Sequence, residues 1–214
     1  KHYIGEAYFL RAYEYFKKLQ LFGDFPIIKD PLTDDKEALR EASRRYPRNE
    51  VVRFILSDLD KACEYMADTD MATTRINKDA ALLIKSRVAL FEATWLQNFK
   101  GTAFAPGGEG WPGAALYGNY QYPSGSLENE VKYFLEQAAE ASGTVAEKYK
   151  GSLTENTGTL QQSPEDPVNP YFDMFAQEDL SSVKEVLLWR QYARGLSTHN
   201  INSAAGRGNY RIGL

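Results

Sequence analysis

Between Asn98 and Gly125 the chain reads NFKGTAFAPGGEGWPGAALYGNYQYPSG, with Phe104, Trp111, Tyr117, Tyr120 and Tyr122 set among glycines and prolines. Asn119 and Gln121 flank Tyr120, so ring faces and amide forks alternate along Asn119-Tyr120-Gln121-Tyr122. Ring faces cover the C–H groups of sugars, and amides or charged forks bond their hydroxyls. The same rings can instead pin the loop to the body that carries it, and both readings stay open. One ring face of about 100 Å² is worth roughly 2.5 kcal/mol gross, before ordering costs. A binding site here therefore needs several rings to converge. A second polar, aromatic-edged segment, RQYARGLSTHNIN, offers Tyr192, Arg194, His199 and Asn200 as further ligand-contact candidates.

Catalytic patterns are not legible. With only His2 and His199, neither a zinc triad nor a Ser-His-Asp set is favoured. Gly107-Gly108-Glu109-Gly110 lacks the Lys-Ser/Thr of a phosphate loop. A calcium loop counted from Asp68 would put Thr73 at the turn glycine and Asp79 at the bidentate glutamate. No cofactor or metal is therefore expected. A net charge of −4 argues against nucleic acid as a partner. No apolar run reaches transmembrane length. Cys63, the one cysteine, sits mid-helix on an apolar stripe and forms no intrachain disulfide.

Four helices must carry these segments. In the first, Tyr8, Ala12, Tyr15, Leu19 and Phe22 recur at helical spacing until Gly23 stops it and Pro26 prevents its return. The second runs from about Pro47 to Met66 on Val52, Ile55, Leu59, Ala62 and Met66. The third follows Asn77 with Ala81, Ile84, Val88, Phe91 and Trp95 inward. The fourth follows Ser126 and runs to Lys150 on Val131, Phe134, Ala138, Ala141 (or Ser142) and Val145. Asp34-Asp35-Lys36-Glu37 reads as a short solvated helix, Tyr171–Leu180 as another, and Val183–Tyr192 as a strand. Arg11 and Arg87 are each expected to lay a stem on the core and pair with a carboxylate such as Asp58.

Arg11 with Tyr15 matches Arg87 with Phe91 at an offset of 87 − 11 = 76, and Leu59 with Ala62 matches Leu135 with Ala138 at 76 again. Two helix types thus alternate, as in stacked repeat hairpins. The expected fold is mainly α: tetratricopeptide-like stacked helical hairpins with long irregular loops and a minor β element. Residues 1–150 would form the helical domain with an inserted loop at 98–126, and 151–214 a loop-rich extension.

Glu6–Phe16 and Leu21–Pro26 resemble the E-A-x-F-L-R-A-x-x-Y-F and L-F-G-D-x-P signatures of the SusD/RagB family of nutrient-binding outer-membrane lipoproteins. Asn49–Met66 and Lys78–Phe91 are similar to two later helices of that family. The resemblance implies a non-catalytic cell-surface protein that binds an oligosaccharide or related nutrient. It would deliver this ligand to a TonB-dependent (SusC-like) outer-membrane transporter. Family members are lipid-anchored through a cysteine, and Cys63 is not at that place. Family members are also longer, so this chain reads as a segment of one. The alternative reading is a helical-repeat scaffold that binds a peptide or protein on its concave face. A helical carbohydrate hydrolase would need a carboxylate pair in a cleft.

Overall fold

A computed structural model describes residues 1–67, 72–160 and 162–191. Tyr192, Arg194, His199, Asn200 and the Asp68-Thr69-Asp70 turn lie outside the described residues. The chain divides into two compact units, one of residues up to 67 with 78–147, the other of 72–77 with 148–191.

The first unit is built on α1 (His2–Phe22), α3 (Arg48–Tyr65), α4 (Lys78–Asn98) and α6 (Leu127–Tyr149, its last two residues in the second unit). The short α2 (Lys36–Ala42) and α5 (Ala114–Tyr117) lie in the connections. Gly23 ends α1 by taking φ 67°, and its N–H returns to the Leu19 carbonyl at 2.8 Å. Asp35 caps α2, accepting from the Ala38 N–H at 2.8 Å.

Side-chain pairings fix how the helices run. Gly5 meets Met66, Arg11 meets Asp58 and Tyr15 meets Phe54, so α1 and α3 are antiparallel. A Cβ at Gly5 would lie 2.8 Å from Met66 Cγ and 2.9 Å from the Ala62 carbonyl oxygen. That close crossing requires glycine. Lys85 bonds Asp60 and Arg48 bonds Glu92, so α4 runs antiparallel to α3. The core gathers Phe9, Ala12, Phe16 and Leu19 of α1 with Val52, Ile55, Leu59 and Ala62 of α3. From α4 it adds Ala81, Val88 and Leu96, and α6 buries Phe134, Ala138, Ala141 and Val145.

Three expectations change. The inward line of α4 is Ala81, Lys85, Val88, Glu92 and Leu96, whereas Ile84, Phe91 and Trp95 are half-buried. The helix is rotated because Arg48 of α3 supplies a cation that lets Glu92 go inside. The repeat also splits. Buried Gly5, Phe9, Ala12 and Phe16 match Ala81, Lys85, Val88 and Glu92 at 81 − 5 = 76. Buried Ile55, Leu59 and Ala62 match Phe134, Ala138 and Ala141 at 134 − 55 = 79, so Leu135 faces out. Arg11 therefore has Asp58, while Arg87 is exposed and the place 76 beyond Asp58 is Phe134.

In the second unit, α7 (Pro170–Ala176) is capped by Asn169, whose side chain accepts from the Tyr171 N–H. The strand expected at Val183–Tyr192 does not form over residues 183–191, which are turns and irregular backbone. Their polar groups find other partners: the Trp189 N–H donates to the Thr73 carbonyl and its indole to Thr73 Oγ1, both at 2.9 Å. Asn77 donates to the Leu187 carbonyl at 2.6 Å. A strand needs a neighbour along its edge, and no second strand lies beside it among the described residues. The β element that does exist is the antiparallel bridge Phe25–Tyr46 between α1 and α3.

Candidate functional site

The loop after α4 comes back onto the N-terminal end of α3, where Trp111, Tyr117 and Tyr120 meet polar groups of α3 or of the segment that leads into it. Asp24, in the LFGDFP turn, is the first anchor. Its Oδ1 accepts the Arg48 N–H at 2.9 Å, which caps α3, and its Oδ2 accepts the Trp111 indole N–H at 2.8 Å. Burial pushes the Asp24 carboxyl above its ordinary value, against the hydrogen bonds from Trp111 and Arg48 that hold it down. Trp111 is 4% exposed. A side chain at Gly113 would run into that indole, with a Cβ only 2.1 Å from Cζ2.

Asn49 and Glu130 form the second anchor. Tyr120 donates its hydroxyl to Glu50 at 2.9 Å and accepts from Asn49 Nδ2 at 2.9 Å. Asn49 Nδ2 also donates to Glu130 at 3.1 Å. Arg53 grips the same carboxylate through Nε at 2.7 Å and Nη2 at 2.8 Å, while Ser124 gives its backbone N–H at 3.1 Å. Burial pushes Glu130 up, but the donors from Arg53, Asn49 and Ser124 together outweigh it and hold the carboxyl below the usual range. Tyr122 donates to the Pro106 carbonyl at 2.6 Å and Tyr117 to the Arg45 carbonyl at 3.1 Å. Burial raises all three phenols, Tyr117 to about 12 and the other two further, so they stay protonated and donate.

Beneath both anchors lies a buried ion pair. Arg48, 3% exposed, meets fully buried Glu92 through Nε at 3.0 Å and Nη2 at 2.9 Å, with the guanidinium 4.0 Å over Trp95. Every buried side-chain nitrogen and oxygen among the described residues has a partner. The loop is therefore built as precisely seated structure, and its rings also meet one another: Trp111, Tyr117, Tyr120 and Tyr122 lie within 5.1 to 6.3 Å of their neighbours.

Of the sequence-selected residues, the structure brings Trp111, Tyr117, Tyr120 and Tyr122 into one cluster and leaves Asn119 exposed beside it. Phe104 stands 62% exposed at the other end of the loop, beside a cavity of about 500 Å³ that Trp95, Trp111 and Leu116 also line. Asp24, Arg48, Asn49, Arg53, Glu92 and Glu130 were not selected. A signal existed for two of them: Asn49 and Arg53 stand one helical turn apart and so share a face. The burial of Glu92 has no local signature.

Comparison with known proteins places this framework. Residues 1–90 match the SusD-like family described as starch-binding and associating with the outer membrane. The chain carries a SusD-like segment. The signatures of α1 and α3 lie within it and that of α4 ends one residue beyond; in this chain the Asp24 carboxylate of the LFGDFP turn caps α3 and holds the loop. Over 86 residues the chain is 35% identical to SusD-like protein P2 of Formosa agariphila, a stretch covering 40% of this chain and 17% of that relative. No solved structure matches the chain. Among the described residues no helix is long and apolar enough to cross a membrane.

Proposed function

We propose that this chain is part of a non-catalytic cell-surface protein that binds an oligosaccharide at the outer membrane and hands it to a TonB-dependent transporter. The observation that carries this reading is the SusD-like segment over residues 1–90, whose family is described as starch-binding. The full protein would be lipid-anchored outside the cell. Binding is reversible stacking and hydrogen bonding, with no bond broken. In this reading Asn119 and the outer edges of Tyr117, Tyr120 and Tyr122 contact the sugar, joined by Tyr192, Arg194, His199 and Asn200. Trp111, tied to Asp24, holds the loop in shape.

Calorimetry against a panel of starch and other oligosaccharides tests this, repeated with Asn119→Ala. Heat with at least one glycan, weakened in the variant, is the expected result. Silence across the panel would count against the function, and an unchanged variant against the loop. A scaffold for a peptide is the second reading, favoured by a cleft over helices α1 and α3 whose lining includes none of the loop's rings. Crosslinks from Ser57 rather than from Tyr120 to a captured partner would move the assignment that way.

A further inference from the structure

A cleft of about 860 Å³ opens over α1 and α3, walled by the irregular segment 27–32 and floored by Tyr8, Arg11, Arg53, Phe54, Ser57 and Lys61. Arg53, Ser57 and Lys61 follow at four-residue steps, so they line one face of α3 over about 12 Å. That row suits a short oligosaccharide lying along the helix.

The charges in the cleft are arranged in depth. Arg11 bonds Asp58 through Nε at 2.7 Å and Nη2 at 2.8 Å, and Arg53 bonds Glu130. Both carboxylates are buried, at 1% and 0% side-chain exposure, while the arginines are 32% and 28% exposed. The acids thus sit beneath and the guanidinium edges face the opening. Lys29 and Lys61 are exposed at the cleft, and among the described residues neither is in an ion pair. Lys61 lies 5.3 Å over the Tyr8 ring and Arg11 lies 5.0 Å over Phe54. The acids lining the cleft are Asp30, exposed, and Glu50, which already accepts from Tyr120. Four cations thus meet four carboxylates here, and the cations Arg11 and Arg53 are the more exposed partners of their pairs. Tyr46, 38% exposed, adds a ring to the lining.

We propose that this cleft binds an acidic saccharide, its carboxylate or sulfate ester held by Lys29, Lys61 and the outer edges of Arg11 and Arg53, with a ring face against Tyr46. The proposal rests on the saccharide-binding reading above and names the ligand class. The aromatic loop contributes Pro123 to its lining but none of Trp111, Tyr117, Tyr120 and Tyr122. The buried acids keep the arginines in place, and the two exposed lysines are the cations that no ion pair holds among the described residues.

The experiment is calorimetry on the 214-residue chain with trigalacturonate, a sulfated trisaccharide, neutral maltotriose and triglutamate, in low and high salt. Exposed charge contacts at two lysines predict about fivefold to tenfold tighter binding of an acidic trisaccharide than of maltotriose. Salt should erase that preference. The double variant Lys29→Gln, Lys61→Gln should lose it with an unchanged melting temperature. Trigalacturonate and the sulfated sugar tell carboxylate from sulfate, and preference for either supports the site. Equal binding of acidic and neutral sugars, or a preference intact in the double variant, overturns the cleft assignment and leaves the function standing. Triglutamate binding as tightly as the acidic sugars overturns it too, in favour of a peptide. No heat from any saccharide takes down both.

Discussion

Two excursions leave the helical body, and they are held in opposite ways. The segment after α4 ends in rings whose polar atoms are all spent: Trp111 on Asp24, Tyr120 on Asn49 and Glu50, Tyr122 on Pro106. The segment between α1 and α2 is held at few points, chiefly Tyr15, whose hydroxyl accepts the Ile28 N–H at 2.8 Å, and the Phe25–Tyr46 bridge. Its Lys29 and Asp30 stay exposed. The difference teaches that aromatic richness and ligand-ready surface are separate properties. Rings whose hydroxyls and indole N–H are satisfied internally stabilise a shape and leave only their outer edges to a ligand, whereas lysines left in water offer their charge to a partner.

The comparison breaks most sharply at the buried pair. Glu92→Ala leaves the Arg48 guanidinium buried without its counter-charge, and urea unfolding should show a loss of about 3–5 kcal/mol. A milder result would mean Arg48 escapes to solvent and the clamp has no rigid base. Next is Glu130, where the effect depends on pH. Its folded value lies below the ordinary 4.5, so the ionised form's contribution is full above that value and drains as pH falls through the lowered one. The melting-temperature gap between the native chain and Glu130→Gln should therefore be widest near neutrality and close in acid. A gap that widens on acidification would contradict the stated donors.

Trp111→Phe keeps the ring but strips the donor from Asp24 Oδ2, a loss of about 1–3 kcal/mol for an unmet buried acceptor. Tyr15→Phe frees the other excursion at Ile28, and about 0.5–1.5 kcal/mol should disappear. If the two substitutions cost the same, the contrast between a clamped and a lightly held segment is too strong. Smallest of all, Lys29→Gln should leave stability within about 0.5 kcal/mol. Its effect belongs to acidic-sugar binding alone.

Local pattern took the sequence a long way in the helical parts. Apolar spacing placed α1, α3, α4 and α6 to within a few residues, because turn-by-turn burial leaves a period of 3.6 in the chain. Gly23 marked the end of α1 for a reason that acts over one turn. Val183–Tyr192 misled because a β-like composition cannot show whether a neighbouring strand exists. The ring-rich loop was recognisable as special, yet whether its rings face sugar or protein depended on Asp24, Asn49 and Glu130, up to 87 residues away.

By itself the sequence determined which stretches are helical, where they stop, and that α1, α3 and α4 carry SusD-like signatures, since all of these follow from short-range spacing and residue type. Tertiary structure alone decided that Glu92 lies inside, that Arg11 is paired while Arg87 stays exposed, and that the cations of α1 and α3 share one cleft. Each of those outcomes depends on what a different helix brings alongside. A charge buried or left in water is settled by its partner's position in space, and chain order carries no direct record of that.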